Sequence, residues 1–295
     1  MLKALSVLDL VPIRQGDTAR EAFANAASLI RHVESLGYTR YWVAEHHNMT
    51  GIASAATSVV IGHLAAASRT IRVGAGGIML PNHSPLVIAE QFGTLESLFP
   101  GRIDLGLGRA PGTDMETMVA MRRDANSADR FPDDIAELAH LLGPVEAGQR
   151  VRAVPGMGTQ VPLFILGSSL YGAQVAAYFG LPYGFASHFA PAALDQALTV
   201  YRSRFRPSER LAQPWAMPCV NVIAADTDRQ AQRLFTSQQQ RVLEMMRNTR
   251  GQLLPPVDDI EALWSASEKA QVMRMLECSI VGSLDTITEG LARFI

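Results

Sequence analysis

Residues 102–112, Arg-Ile-Asp-Leu-Gly-Leu-Gly-Arg-Ala-Pro-Gly, combine an alternating strand with a turn-rich exit that carries one fixed positive charge, Arg109. Glycine lets the backbone approach a ligand closely, and the planar guanidinium fork suits a phosphate. A second exit of this kind is Phe164-Ile-Leu-Gly-Ser-Ser169, where a buried-type strand ends in small, hydroxyl-bearing residues that open a helix. Either exit alone reads as an ordinary strand-to-helix turn. Together they point to one anionic cofactor at one face of an α/β fold.

Other residues add chemistry of a different kind. Glu45-His46-His47 follows a strand, and imidazole titrates near neutral pH, so His46 is the expected proton-transfer group. Adjacent residues of an extended chain point to opposite sides, so the two histidines do not readily chelate one metal. The plainer reading has Glu45 and His47 bonded to neighbouring loops. Gly76 and Gly77 lie mid-strand, where glycine weakens a sheet unless a bulge or a flat ligand needs the room. Asn82-His83-Ser84-Pro85 reads as a helix-capping turn with a structural histidine. Asp9 and Asp104 sit within strands, and a salt bridge to an arginine is the expected state of Asp104. There is no Gly-x-Ser-x-Gly elbow. Cys219 and Cys278 are 59 residues apart, with no metal-ligand spacing around them, and read as reduced core thiols. The two lysines, Lys3 and Lys269, are not at strand exits, which argues against Schiff-base chemistry.

Strand-like and helix-like segments alternate along the chain, the pattern of βα units around a parallel sheet. Strands are expected at 4–11, 38–44, 71–80, 102–107, 161–166, 183–187 and 217–225, each followed by a helix. The stretch 248–260, with Pro255-Pro256, reads as an insertion loop, followed by helices at 261–276 and 285–295. No G-x-G-x-x-G turn follows the first strand, so the dinucleotide fingerprint is missing. The expected architecture is α/β, a (βα)8 TIM-type barrel whose last βα unit is absent from this chain. It forms one domain over 1–295 with an insertion around 248–278. Missing an eighth strand leaves two unpaired edges unless something else closes the gap.

Composition excludes several classes. With 48% apolar and 18% charged residues the chain reads as globular rather than disordered. A formal charge of −2 offers no basic footprint for nucleic acid or an anionic membrane. No apolar run approaches the roughly 18 residues of a spanning helix, and no signal-peptide layout opens the chain, so a cytoplasmic protein is expected.

Against this background the chain resembles the bacterial luciferase-like flavin monooxygenases. The resemblance runs along most of its length. It rests on Trp42-Val-Ala-Glu-His-His47, Gly76-Gly-Ile-Met-Leu-Pro81, Gly106-Leu-Gly-Arg-Ala-Pro-Gly112, Leu166-Gly-Ser-Ser169 and Gly180-Leu-Pro-Tyr-Gly-Phe-Ala-Ser187. It implies a (βα)8 barrel, dimeric as a rule, that takes reduced FMN from a separate flavin reductase and uses O2 to oxygenate an aldehyde or similar small organic substrate. Carried over by position, Arg109 holds the FMN phosphate with Ser168 and Ser169. Gly76 and Gly77 mark the strand, often with a non-proline cis peptide, that flanks the flavin ring. His46 is the acid–base residue. The full cofactor-binding set is Asp9, Gly76, Gly77, Arg109, Gly167, Ser168 and Ser169. Ser168 and Gly108 stand where luciferase itself has a glutamate and a cysteine, which argues against light emission but not against flavin binding. The alternatives are an F420-dependent dehydrogenase on the same barrel, which wants extra positive charge for the longer acidic tail, and a non-catalytic flavin-binding protein. A phosphosugar isomerase is a weaker option, since it wants a lysine or glutamate at a strand end.

Overall fold

The computed structural model describes residues 4–110, 113–249 and 251–294. Met1–Lys3, Arg250 and Ile295 lie outside the described residues, as do Pro111 and Gly112 of the Arg109 turn. The elements alternate as β1 (Ser6–Asp9), α1 (Ala19–Ser35), β2 (Arg40–Val43), α2 (Thr57–Ala67), β3 (Arg72–Met79), α3 (Pro85–Leu98), β4 (Ile103–Gly108), α4 (Met115–Ala120) and α5 (Phe131–Leu142). Then come β5 (Leu163–Gly167), α6 (Leu170–Phe179), β6 (Tyr183–Phe185), α7 (Leu194–Arg204) and β7 (Ala216–Pro218). The chain continues with β8 (Asn221–Ala224), α8 (Asp228–Met246), α9 (Ala266–Met275), β9 (Ser279–Gly282) and α10 (Leu284–Phe294). Among the described residues no helix is long and apolar enough to cross a membrane.

Strands β1 to β7 form one curled parallel sheet in strict sequence order, with β1 and β7 at its edges: an incomplete barrel. Parallel neighbours require a crossover, and each helix supplies one while burying an apolar stripe on the sheet. In α1 that stripe is Ala22, Ala26, Ala27, Ile30 and Val33. The helix is started by Thr18, whose hydroxyl accepts from the Glu21 amide while the Glu21 carboxylate reaches back to Thr18.

Two readings need correction. The apolar run 217–225 is not one strand. It breaks after Pro218, so that β7 completes the seven-stranded sheet while β8 leaves it to pair in parallel with β9. Strand β9 is only four residues long and lies between two helices, so local pattern does not reveal it. It exists because β8, α8 and α9 supply its partner and its cover, with Phe235, Val242, Leu243, Val272 and Leu276 as a second small core. The cysteines are free as expected, but both are partly exposed rather than in the core.

The insertion loop does more than connect. The Leu253 amide donates to the Ile13 carbonyl, the Gln15 amide donates to the Leu253 carbonyl, and the Gln252 side chain spans Gly16 and Asp17. Gly51 faces Gly251 so closely that a Cβ there would strike the Gly251 carbonyl. Segment 251–257 is in turn fastened to α8 by Gln240 on Pro255 and Thr236 on Val257. It straps the loops beyond β1 and β2 to the C-terminal unit.

At the N-terminal end of the sheet the buried Asp104 carboxylate takes Arg40 at 3.1 Å, Arg72 at 2.6 Å and the Trp42 indole at 3.1 Å. Arg40 also lies over the Phe164 and Trp215 rings. This paired, fully bonded charge cluster fills that end, as expected of Asp104, and leaves the opposite end of the strands for the site.

Candidate active site at the C-terminal ends of the strands

Every residue expected at the site lies in or just after a strand of the seven-stranded sheet, at its C-terminal end, where barrel enzymes place their chemistry. Arg109 directly follows β4 and is exposed. Its guanidinium carbon sits 4.4 Å from the centre of the Tyr171 ring, in the first turn of α6. Ser169 is the N-cap of that ten-residue helix, and its side chain makes no capping bond there. The first turn carries no acidic residue. The helix therefore opens with amide donors and the positive end of its dipole beside a cation, which is the chemistry of an anion site. The Tyr183 hydroxyl donates to the Ser169 carbonyl at 3.1 Å and fixes the turn from β6. At Gly167 an added Cβ would meet only ordinary contacts, at 3.5 Å and 3.8 Å, so packing does not demand glycine there.

Gly76 and Gly77 are joined by a cis peptide, within a stretch where the register of β3 against β4 shifts. Protein neighbours supply the steric requirement at both positions. A Cβ on Gly76 would stand 2.7 Å from Leu8 Cδ1, and one on Gly77 would stand 2.6 Å from the Gly106 carbonyl oxygen and 2.7 Å from Leu166 Cδ1. Asp9 ends β1 and is tied up internally. Its carboxylate accepts from the Tyr41 hydroxyl and, at 2.8 Å, from the Val11 amide. Burial raises its pKa against the opposing pull of those bonds. The backbone it holds is unusual, since Val11 is β-branched yet has φ of 47°.

His46 is half-buried beyond β2. On one side stands Glu45, 1% exposed, whose amide donates to the Gly77 carbonyl at 3.2 Å. The Glu45 carboxylate accepts from His47 Nε2 at 2.7 Å, His83 Nε2 at 2.9 Å, the Asn82 side-chain amide at 3.1 Å and the Met79 backbone amide at 3.0 Å. Burial pushes its pKa up, but the bonds from the two histidines and Met79 outweigh it and hold the group at about 2. The plainer expectation for Glu45 and His47 is thus what the structure shows. His83, expected as a structural residue of the turn, has Glu45 as its partner. Sequence spacing could not reveal this cluster, because Glu45 and His83 are 38 residues apart and meet only when β2 and β3 pair. His188 lies beyond β6, in a segment whose residue types carry no signal of a site. Its Nδ1 is buried without a partner among the described residues, and burial lowers its pKa to about 4.

The luciferase-like monooxygenase family profile matches residues 4–295. A luciferase-like monooxygenase of Escherichia coli K12 is 56% identical over 289 residues, covering 98% of this chain and 86% of that protein. The crystal structure of apo-MsnO8 superposes with a TM-score of 0.85 at 32% identity, covering 98% of this chain and 88% of the other. At 20% and 14% identity, the fold alone is shared with the FMN-bound oxygenating constituent of 3,6-diketocamphane monooxygenase from Pseudomonas putida (TM-score 0.69, 99% of this chain and 88% of that one) and with an F420-dependent secondary alcohol dehydrogenase (TM-score 0.69, 100% and 90%). The chain belongs to the luciferase-like monooxygenase family.

Proposed function

We infer that this protein binds reduced FMN at the C-terminal ends of its strands and uses it with O2 to oxygenate a small organic substrate, an aldehyde, a ketone or a related compound. One observation carries the cofactor half: the exposed Arg109, stacked on Tyr171, stands beside an α6 N-terminus whose Ser169 side chain makes no capping bond. That donor set fits a phosphate monoester. When bound, the flavin supplies the activation of O2; the protein binds, orients and shields.

In this reading Arg109, Ser168, Ser169 and the α6 amides hold the phosphate, with Gly167 leaving room above the turn. The Gly76–Gly77 strand flanks the ring, and its Gly77 carbonyl is fixed by the Glu45 amide. Asp9 braces the β1 exit beside the ring through Tyr41 and Val11. His46 moves the proton. The loops beyond β1 and β2, strapped by 251–257, keep water from the site. A separate flavin reductase supplies the reduced cofactor, and the chain works as a cytoplasmic homodimer. A second reading, F420-dependent hydride transfer, is favoured by the shared fold with the F420-dependent alcohol dehydrogenase.

Anaerobic titration tests the reading. Reduced FMN is expected to bind more tightly than reduced riboflavin, which lacks the phosphate, and Arg109→Ala is expected to erase that difference. Equal affinity for the two flavins in the wild type would reject the phosphate site. Oxygen uptake coupled to product across aldehydes and ketones, against hydride transfer without oxygen, separates the two reactions.

A further inference from the structure

Glu45 is a buried carboxylate with more donors than an ion pair needs. Oxygen Oε1 takes His47 Nε2, His83 Nε2 and the Asn82 amide, while Oε2 takes the Met79 N–H and again His83 Nε2 at 2.9 Å. Two of these partners, a backbone N–H and a side-chain amide, can only donate, so both oxygens act as acceptors. Each imidazole must then present a proton at Nε2. The same three side chains place their donor atoms within 4.8 Å of one another, as a cation site would. Their ring-to-carboxylate distances of 2.7 and 2.9 Å argue otherwise. Two ligands on a tetrahedral zinc, with bonds of about 2.1 Å, stand about 3.4 Å apart. The cluster is built on protons.

Its connections run to the site. The Glu45 amide grips the Gly77 carbonyl, its side chain grips Met79 and the 82–83 turn, and the His47 carbonyl accepts from the Thr113 hydroxyl at 3.2 Å. His46 is therefore held from both flanks. We propose that Glu45 is a positioning residue, a single buried carboxylate that fixes His47 and His83 as Nε2–H donors and so pins the segment bearing His46 to the Gly76–Gly77 strand. Its effect on flavin rests on the proposed function; its effect on the two rings does not.

Imidazole 15N–1H NMR of the ligand-free protein separates these parts. In the wild type, both rings are expected to carry a proton at Nε2, bonded to the Glu45 carboxylate. In Glu45→Gln, whose amide nitrogen replaces one accepting oxygen and cannot accept, at least one ring is expected to lose that fixed state. Reduced FMN should bind about tenfold more weakly to this variant, because buried donors are left unmatched. His83→Gln keeps a donor near the Nε2 position and is expected to retain flavin affinity that His83→Leu loses. A ring that lacks a proton at Nε2 in the wild type would overturn the proposal even if Glu45→Gln does not fold. Unchanged flavin affinity in a folded Glu45→Gln would also overturn it, as would stoichiometric zinc binding that this variant abolishes. Fixed Nε2–H donors in a wild type that binds no flavin would support the ring assignment and reject the proposed function alone.

Discussion

Arg109 and Tyr171 come from different βα units, yet the guanidinium carbon lies 4.4 Å from the ring centre. The stacking aims a charge that would otherwise sweep through solvent at the first turn of α6. Arg109→Ala is predicted to weaken reduced FMN by about 10- to 100-fold, the range of a charge-assisted bond, with little effect on reduced riboflavin. Tyr171→Leu should show a smaller loss of the same kind. Anaerobic fluorescence titration of both flavins checks this, with thermal unfolding as the control for an intact fold.

His46→Ala is predicted to keep flavin affinity and lose product formation by about 10²- to 10⁴-fold, the range for a positioned acid–base group. Single-turnover product analysis with pre-bound reduced flavin checks it. Turnover at the wild-type rate would exclude His46 from proton transfer.

Asp104 is fully buried between Arg40 and Arg72. Removing the carboxylate in Asp104→Ala strands two partly buried guanidinium groups, and the expected loss is about 3 kcal/mol or more in urea unfolding. The proposed flavin site, at the other end of the strands, should keep its affinity in the fraction that remains folded.

Gly93, in α3, packs against segment 153–157. A Cβ there would stand 2.5 Å from the Gly156 amide nitrogen, and backbone cannot swing aside as a side chain can. Gly93→Ala is predicted to destabilise by about 1–3 kcal/mol, measured by chemical denaturation, although alanine is the better helix former.

Glu34 joins α1 to the loop before β3. Burial pushes its pKa up, but the amides of Ile71, Thr70 and Arg69 together outweigh it and hold the group at about 2. A carboxylate whose folded pKa is depressed stabilises above its unfolded value of 4.5 and loses that contribution as pH falls towards 2. The wild-type melting temperature should therefore drop across that window, and Glu34→Gln should flatten part of the drop.

Much of the sheet was legible because strands one to six alternate with helices whose caps and apolar stripes are local features. Thr18, Gly37 and Pro85 mark helix ends in the sequence itself. The break at Pro218 was not legible, because 217–225 is apolar apart from Asn221 and only the pairing of β8 with β9 divides it. At the site, the exits bearing His46, Arg109 and Ser169 stand out by residue type. The Glu45 cluster does not, because its geometry depends on the β2–β3 register and on a turn 38 residues away.

Rapid mixing of the protein, loaded with reduced FMN, with aerated buffer tests the central claim most directly. A near-ultraviolet-absorbing species that outlasts the oxidation of free reduced flavin, and decays faster when an aldehyde or ketone is present, is the predicted result. Oxidation at the free-flavin rate, or no binding of reduced FMN, would contradict the account.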